Sequence, residues 1–218
     1  MSNFSPIPAT TKNLDVGAYR AQVFGWLFFS FIVCALGTAW IGPMVPPSAI
    51  MPLSIALILA MVLSGFVRKL SFLQPVFLVA VPLILGIVLH PVLESYTQAG
   101  MGNIIVMAAA GTALVFGLTG IVAWRSKASI EGWMPKLMVI LLAVIGVSLL
   151  NVFLFKLSFL SLAIAWVTLA LFTLFTFHDI QKIRDAGMHG EPASSVALNI
   201  FLDLINIFTS LLRILSGR

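Results

Sequence analysis

Apolar residues run along this chain in long, nearly unbroken blocks, and most of the charged residues fall in the short gaps between them. A helix needs about 20 apolar residues to cross the hydrocarbon core of a bilayer. On that measure the pattern predicts seven helices, over 22–41, 50–67, 72–89, 103–124, 137–155, 159–178 and 196–215. The connections are short: GPMVPPSA is a Pro-rich turn after the first helix, and KLSF a tight one after the second. The opening stretch, MSNFSPIPATTKNLDVGAYR, lacks the compact charged-then-apolar pattern of a cleaved signal, and the run after it is too long for a signal core. The predicted organisation is an N-terminal segment, 1–21, followed by one transmembrane domain, 22–218. The predicted fold is all-α: a seven-helix transmembrane bundle.

Composition agrees. Of 218 residues, 61% are hydrophobic and only 9% charged, whereas a soluble domain carries about a quarter charged residues. Glycine and proline inside the apolar runs are better tolerated in a membrane than in water. The net charge of +5 is no nucleic-acid signal, because the basic residues are spread between apolar segments. Their distribution reads as topology. Lys12, Arg20, Arg68, Lys69, Arg125, Lys127, Lys136, Lys182 and Arg184 fall on one side of the predicted membrane; Lys156, Arg213 and Arg218 fall on the other. The N-terminus is therefore expected in the cytoplasm and the C-terminus outside. The single cysteine, Cys34, excludes a disulfide framework or Cys-rich metal site within one chain and is expected to be a packing residue.

The last helix breaks its own pattern. At 100° per residue, Asn199, Asp203, Asn206, Ser210 and Arg213 fall within about 80° of one another, amid Leu, Ile, Phe and Val. Lipid would leave such a stripe unsatisfied, so the helix is expected to be central in the bundle. Replacing Asn199 or Asn206 by Leu is expected to disturb the protein more than replacing Ile207. Asp179 and Asp203 lie equally far from position 191, in the predicted loop between the last two helices. An antiparallel hairpin brings both carboxylates to one depth near the cytoplasmic end, where Arg68 closes the second helix.

Other polar residues suggest less. His90 and Glu94 in LHPVLES read as ordinary loop residues at the outer face. His90, His178 and His189 lack metal-ligand spacing. The small residues of MAAAGTALVFGLTG suit close helix packing.

Three segments, ALNIFLDLINIFTSLLRIL, HDIQKI and MPLSIALILAMVLSGFVRK, resemble the transmembrane Bax inhibitor motif (Bax inhibitor-1-like) family in its bacterial form. The resemblance runs from about Tyr19 to the C-terminus and is most specific over 179–213. It implies seven helices with the last enclosed by the other six, and a pH-sensitive calcium leak sensed by an aspartate pair. That pair falls on Asp179 and Asp203, and the arginine contacting it on Arg68. His178 stands where an aromatic residue is common and Phe201 where a tyrosine is usual, so two phenol hydroxyls near the pair are missing and His178 becomes a possible modulator of its titration. The longer charged tail of many relatives is absent beyond Arg218.

The expected function is thus a calcium leak in a bacterial inner membrane. Two carboxylates close together in low dielectric resist ionising at once. Sharing a proton, they hold a cytoplasmic closure; losing it, they repel and offer calcium transient oxygen ligands. Arg68 would favour the anionic form. The alternative is a non-conducting interaction protein that regulates a membrane-bound protease or stress response, since bacterial relatives are associated with such a protease. An enzyme is not expected: Ser64 lacks the preceding glycine of a rhomboid-type nucleophile, and neither aspartate sits in Gly-x-Gly-Asp. No cofactor and no nucleic-acid partner are expected; calcium ions and the lipid bilayer are.

Overall fold

The computed structural model describes residues 16–67, 74–185 and 191–217. All regular structure among them is helical: α1 Val16–Leu36, α2 Pro47–Val67, α3 Gln74–Gln98, α4 Gly102–Arg125, α5 Met134–Leu150, α6 Ser158–Arg184 and α7 Ala193–Ser216. Hydrocarbon offers no partner for a free N–H or C=O, and a helix satisfies nearly all of them within one segment. Among the described residues six helices are long and apolar enough to cross a membrane. Within α2, Pro47–Ile58 is a shorter apolar helix. The protein is an integral membrane protein. Arg68, with Lys12, Lys69, His189 and Arg218, lies outside the described residues.

Two helices end in wide π-helical turns. Gly37–Ile41 continues α1 and passes into a 3₁₀ turn, Gly42–Met44. Asn151–Phe155 continues α5, and Lys156 then reverses the chain in the left-handed region at φ 52°. The buried Asn151 side chain staples that reversal. Its amide donates to the Leu157 carbonyl at 3.2 Å and to Ser161 Oγ at 2.8 Å, and its Oδ1 accepts from the Leu157 N–H at 3.0 Å.

Each predicted segment is helical, six of them long and apolar enough to span among the described residues, and three ends move by six residues or more. The first helix begins at Val16, ahead of the long apolar run. The third continues past Leu89 to Gln98, so HPVLES is helical and the loop reading of His90 and Glu94 is corrected. His90 Nε2 lies 3.4 Å from Glu94 Oε2, one turn on, and Gln98 Nε2 donates to Glu94 Oε1 at 3.1 Å. Side-chain pairing along the helix sustains it where the apolar run has stopped. Likewise α6 runs on to Arg184, which takes Asp179 inside the helix.

α7 packs against α1, α3, α4 and α6; α2 packs on α3, and α5 on α6. Val196, Ala197, Ile200 and Phe201 are fully buried among Val23 and Leu27 of α1, Val81 and Leu85 of α3, and Ile183 of α6. Cys34 is buried in the same cluster, as expected of a packing residue.

Among the described glycines the tightest approaches to backbone lie between the end of α1 and α3, while Gly111 of α4 packs against the Leu211 side chain of α7. A Cβ on Gly37 would meet the Leu83 carbonyl oxygen at 2.5 Å, and one on Gly86 would collide with the Cys34 carbonyl oxygen. Thr38 Oγ1 donates across the same contact to the Gly86 carbonyl at 3.0 Å. On α4, Ala108 is fully buried, but Ala109 and Ala113 are exposed and Gly117 has open space around it. Gly86→Ala is therefore expected to cost about 1–3 kcal/mol through overpacking against rigid backbone. Gly117→Ala should be neutral or gain up to about 1 kcal/mol from helix propensity. Thermal melts of the two variants in detergent check this, and equal midpoints would mean that α1 and α3 do not meet at Gly86.

Candidate functional site

The C-terminal end of α6 leaves its last carbonyls without helical partners and carries the negative end of the helix dipole. Three cations gather there. Arg20 of α1 donates through Nε to the Ile183 carbonyl at 3.3 Å and through Nη2 to the Arg184 carbonyl at 2.7 Å. Arg184 reaches the other way, from Nη1 to the Ala123 and Ser126 carbonyls at 3.1 and 2.6 Å, while Nε and Nη2 grip Asp185 at 2.7 and 2.8 Å. Gln181 Nε2 adds a bond to the Ala128 carbonyl at 2.8 Å. The end of α6 is thus tied to α1 on one side and to the end of α4 on the other.

The third cation, Lys182, belongs to the carboxylates. Its ammonium lies 3.3 Å from Asp179 Oδ1, one turn back, and 3.2 and 3.3 Å from the two oxygens of Glu191, just before α7. Tyr19 donates its phenol O–H to the Glu191 carbonyl at 3.2 Å, which ties that strap to α1.

Asp179 and Asp203 are both 5% exposed, so neither meets bulk solvent. Asp179 and Lys182 lie near enough to Asp203 to act on it electrostatically. Thr176 is fully buried and directs its Oγ1 at Asp203 Oδ2 over 3.4 Å. That is longer than an optimal hydroxyl–carboxylate bond of about 2.7 Å. His178 is buried beside Asp179 on the neighbouring face of α6. Among the described residues no three His, Cys, Asp or Glu side chains converge as a metal cage.

The polar stripe of α7 divides. Asp203 and Ser210 are buried, Asn199 and Asn206 are half-buried, and Arg213 is exposed. Asn206 turns its amide back to its own helix, donating to the Leu202 carbonyl at 2.7 Å. Ile207 is fully buried. Here the apolar residue fills the interior, and the amide lies at its margin. Phe201, also fully buried, meets the ring of Phe31 edge-on at 5.2 Å.

Sequence reasoning missed four of these residues. Thr176 and Lys182 stand three before and three after Asp179, on the spacing that places side chains together on a helix. Lys182 and Arg20 were spent on topology, and Glu191 was read as loop.

A model of the family described as "Inhibitor of apoptosis-promoting Bax1" matches residues 17–218. The inner membrane protein YbhL of Escherichia coli is 28% identical over 92% of this chain and 92% of its own length. A protein of Deinococcus radiodurans is 29% identical over 95% of this chain and 94% of its own. The modulator of FtsH protease YccA of Escherichia coli is 36% identical over 60% of this chain and 58% of its own.

Proposed function

The chain belongs to the Bax inhibitor-1-like family of membrane proteins, and from that premise we propose that it is a pH-sensitive calcium leak gated at the α6–α7 hairpin. The observation that carries this reading is the buried pair, Asp179 and Asp203, one on each arm, with Lys182 as countercharge. For intramembrane ionisable groups, function is the default hypothesis. In the proposed closed state the two carboxyls share one proton across the hairpin. When it leaves, repulsion replaces attraction, the arms separate, and hard oxygen ligands face the opening. A resident calcium site takes about six to eight oxygens, so this pair binds the ion in passage. In this reading α2 supplies a seventh crossing, α7 is the central helix, and the N-terminus is cytoplasmic in a bacterial inner membrane. No catalytic step and no cofactor is involved.

Calcium flux into liposomes holding only the purified protein tests this reading. Flux that rises with pH is expected; its absence across the range would sink the leak. Reporter fusions at the two termini should place them on opposite sides of the membrane.

A second reading rests on YccA, whose name makes it a modulator of FtsH protease. On that reading the protein regulates a membrane-bound protease without conducting. Co-purification with such a protease, together with no flux from the protein alone, is the result that favours it.

A further inference from the structure

On the side of α7 facing away from Asp203 lies an apolar groove of about 710 Å³. Its floor is Leu204, Ile205 and Phe208, roughly opposite Asp203 at 100° per residue. The stripe Phe24, Phe28 and Phe31 of α1 and the small residues Ala109 and Ala113 of α4 form its walls. α7 packs against both wall helices. The only hydroxyls in the lining, those of Thr38 and Thr112, are already donated to backbone carbonyls at 3.0 and 2.8 Å. The groove therefore presents hydrocarbon with no polar handle and would not hold water.

One end of the groove differs. Beyond the lining, Arg20 stands one helical turn before Phe24 and Trp124 two turns after Phe116. The Arg20 guanidinium lies 4.8 Å from the Trp124 ring centre. Two of its five N–H groups reach α6 carbonyls, at Ile183 and Arg184. A Trp–Arg pair at a helix end is the pattern of the membrane interface, and a guanidinium there matches a phosphate.

We propose that this groove is a phospholipid site: one acyl chain lies between α1 and α4 on the floor of α7, with the phosphate at Arg20. Size and charge select that occupant. A 20-residue helix about 10 Å across and 30 Å long fills roughly 2,400 Å³, more than the whole free space of the groove, about 1450 Å³. The groove volume of about 710 Å³ falls instead among the roughly 300–1,000 Å³ pockets that enclose one small ligand. The acidic groups nearby are already engaged, Asp185 by Arg184 and Glu191 by Lys182, which leaves the Arg20 end cationic.

The test uses the full chain in liposomes holding only this protein and phosphatidylglycerol with a photoreactive diazirine near the end of one acyl chain. After illumination, peptide mapping should find the label on the α7 segment containing Leu204–Phe208. Ala113 is exposed to the groove, so Ala113→Phe fills it without entering the core. That variant should lose the α7 label and keep labelling on the lipid-facing residues of α5. Arg20→Gln should weaken retention of the lipid through detergent about tenfold, the worth of one charge-assisted contact. An unlabelled α7 segment in the wild type, as when a second copy or another helix covers the groove, would overturn the proposal. So would equal α7 labelling in Ala113→Phe.

Discussion

Asp203→Asn is expected to flatten the pH response of calcium flux through liposomes holding only this protein. In the proposed gate a single shared proton sets the balance of closed and open hairpins, so wild-type flux rises by at most about tenfold per pH unit. Asparagine keeps the shape of the side chain and can still receive the Thr176 hydroxyl, but it has no proton to lose. Asp179→Asn should flatten the curve as well. The double variant should add little, because the two residues behave as one titrating unit. Flux between about pH 5.5 and 8.5 spans the range for a carboxyl held beside a like charge. A slope left by any group outside the pair would survive in all three variants and so can be told apart from it. Wild-type curves in both single variants would end the shared-proton gate and move the weight to the protease-regulating reading.

Lys182→Met should be the most destabilising single change at the site, by about 3 kcal/mol, because it leaves buried carboxylates without their countercharge. The Lys182 side chain is 15% exposed and that of Asp179 7%, so water does little to replace the lost ammonium. Glu191 lies further out, with 28% of its side chain exposed. Glu191→Gln should cost no more than about 1 kcal/mol. The decisive comparison is Lys182→Met combined with Asp179→Asn. An apolar side chain beside a neutral amide carries no uncompensated charge, so the double variant should melt closer to wild type than Lys182→Met alone. If Lys182→Met unfolds with the wild type in detergent, the ammonium is not the carboxylates' partner.

The helices of this protein are legible because hydropathy reports burial in hydrocarbon, and six of the described helices are long and apolar enough to cross it. Where helices leave the hydrocarbon the signal fails. His90, Glu94 and Gln98 look like loop because they are polar, yet they pair along α3 and extend it by more than two turns. The aspartates were legible for a related reason: an acid in an apolar run has few cheap explanations. Their surroundings were not. Lys182 and Arg20 carry the charge that topology demands on that side, and topology accounted for them before geometry could. One helix period also overstates what a stripe shares. Asn206 and Asp203 lie on the same face of α7, but a short amide can satisfy itself on its own helix, as Asn206 does with Leu202, whereas a carboxylate has no hydrogen to donate to a carbonyl.

The bonds at the end of α6 have a mechanical consequence. Arg20 fastens it to α1, and Arg184 and Gln181 fasten it to α4 and the turn beyond, five hydrogen bonds in all. The N-terminal end of α7 is held to its surroundings by the strap at Glu191. In a joint of that kind α6 is the stator and α7 the arm. In the proposed gate, thrust between Asp179 and Asp203 would displace α7 away from α6 and toward the apolar groove on its far side. The stiffness of that proposed gate would be set by whatever fills that groove, and lateral pressure in the surrounding hydrocarbon would be the spring against which the carboxylates work.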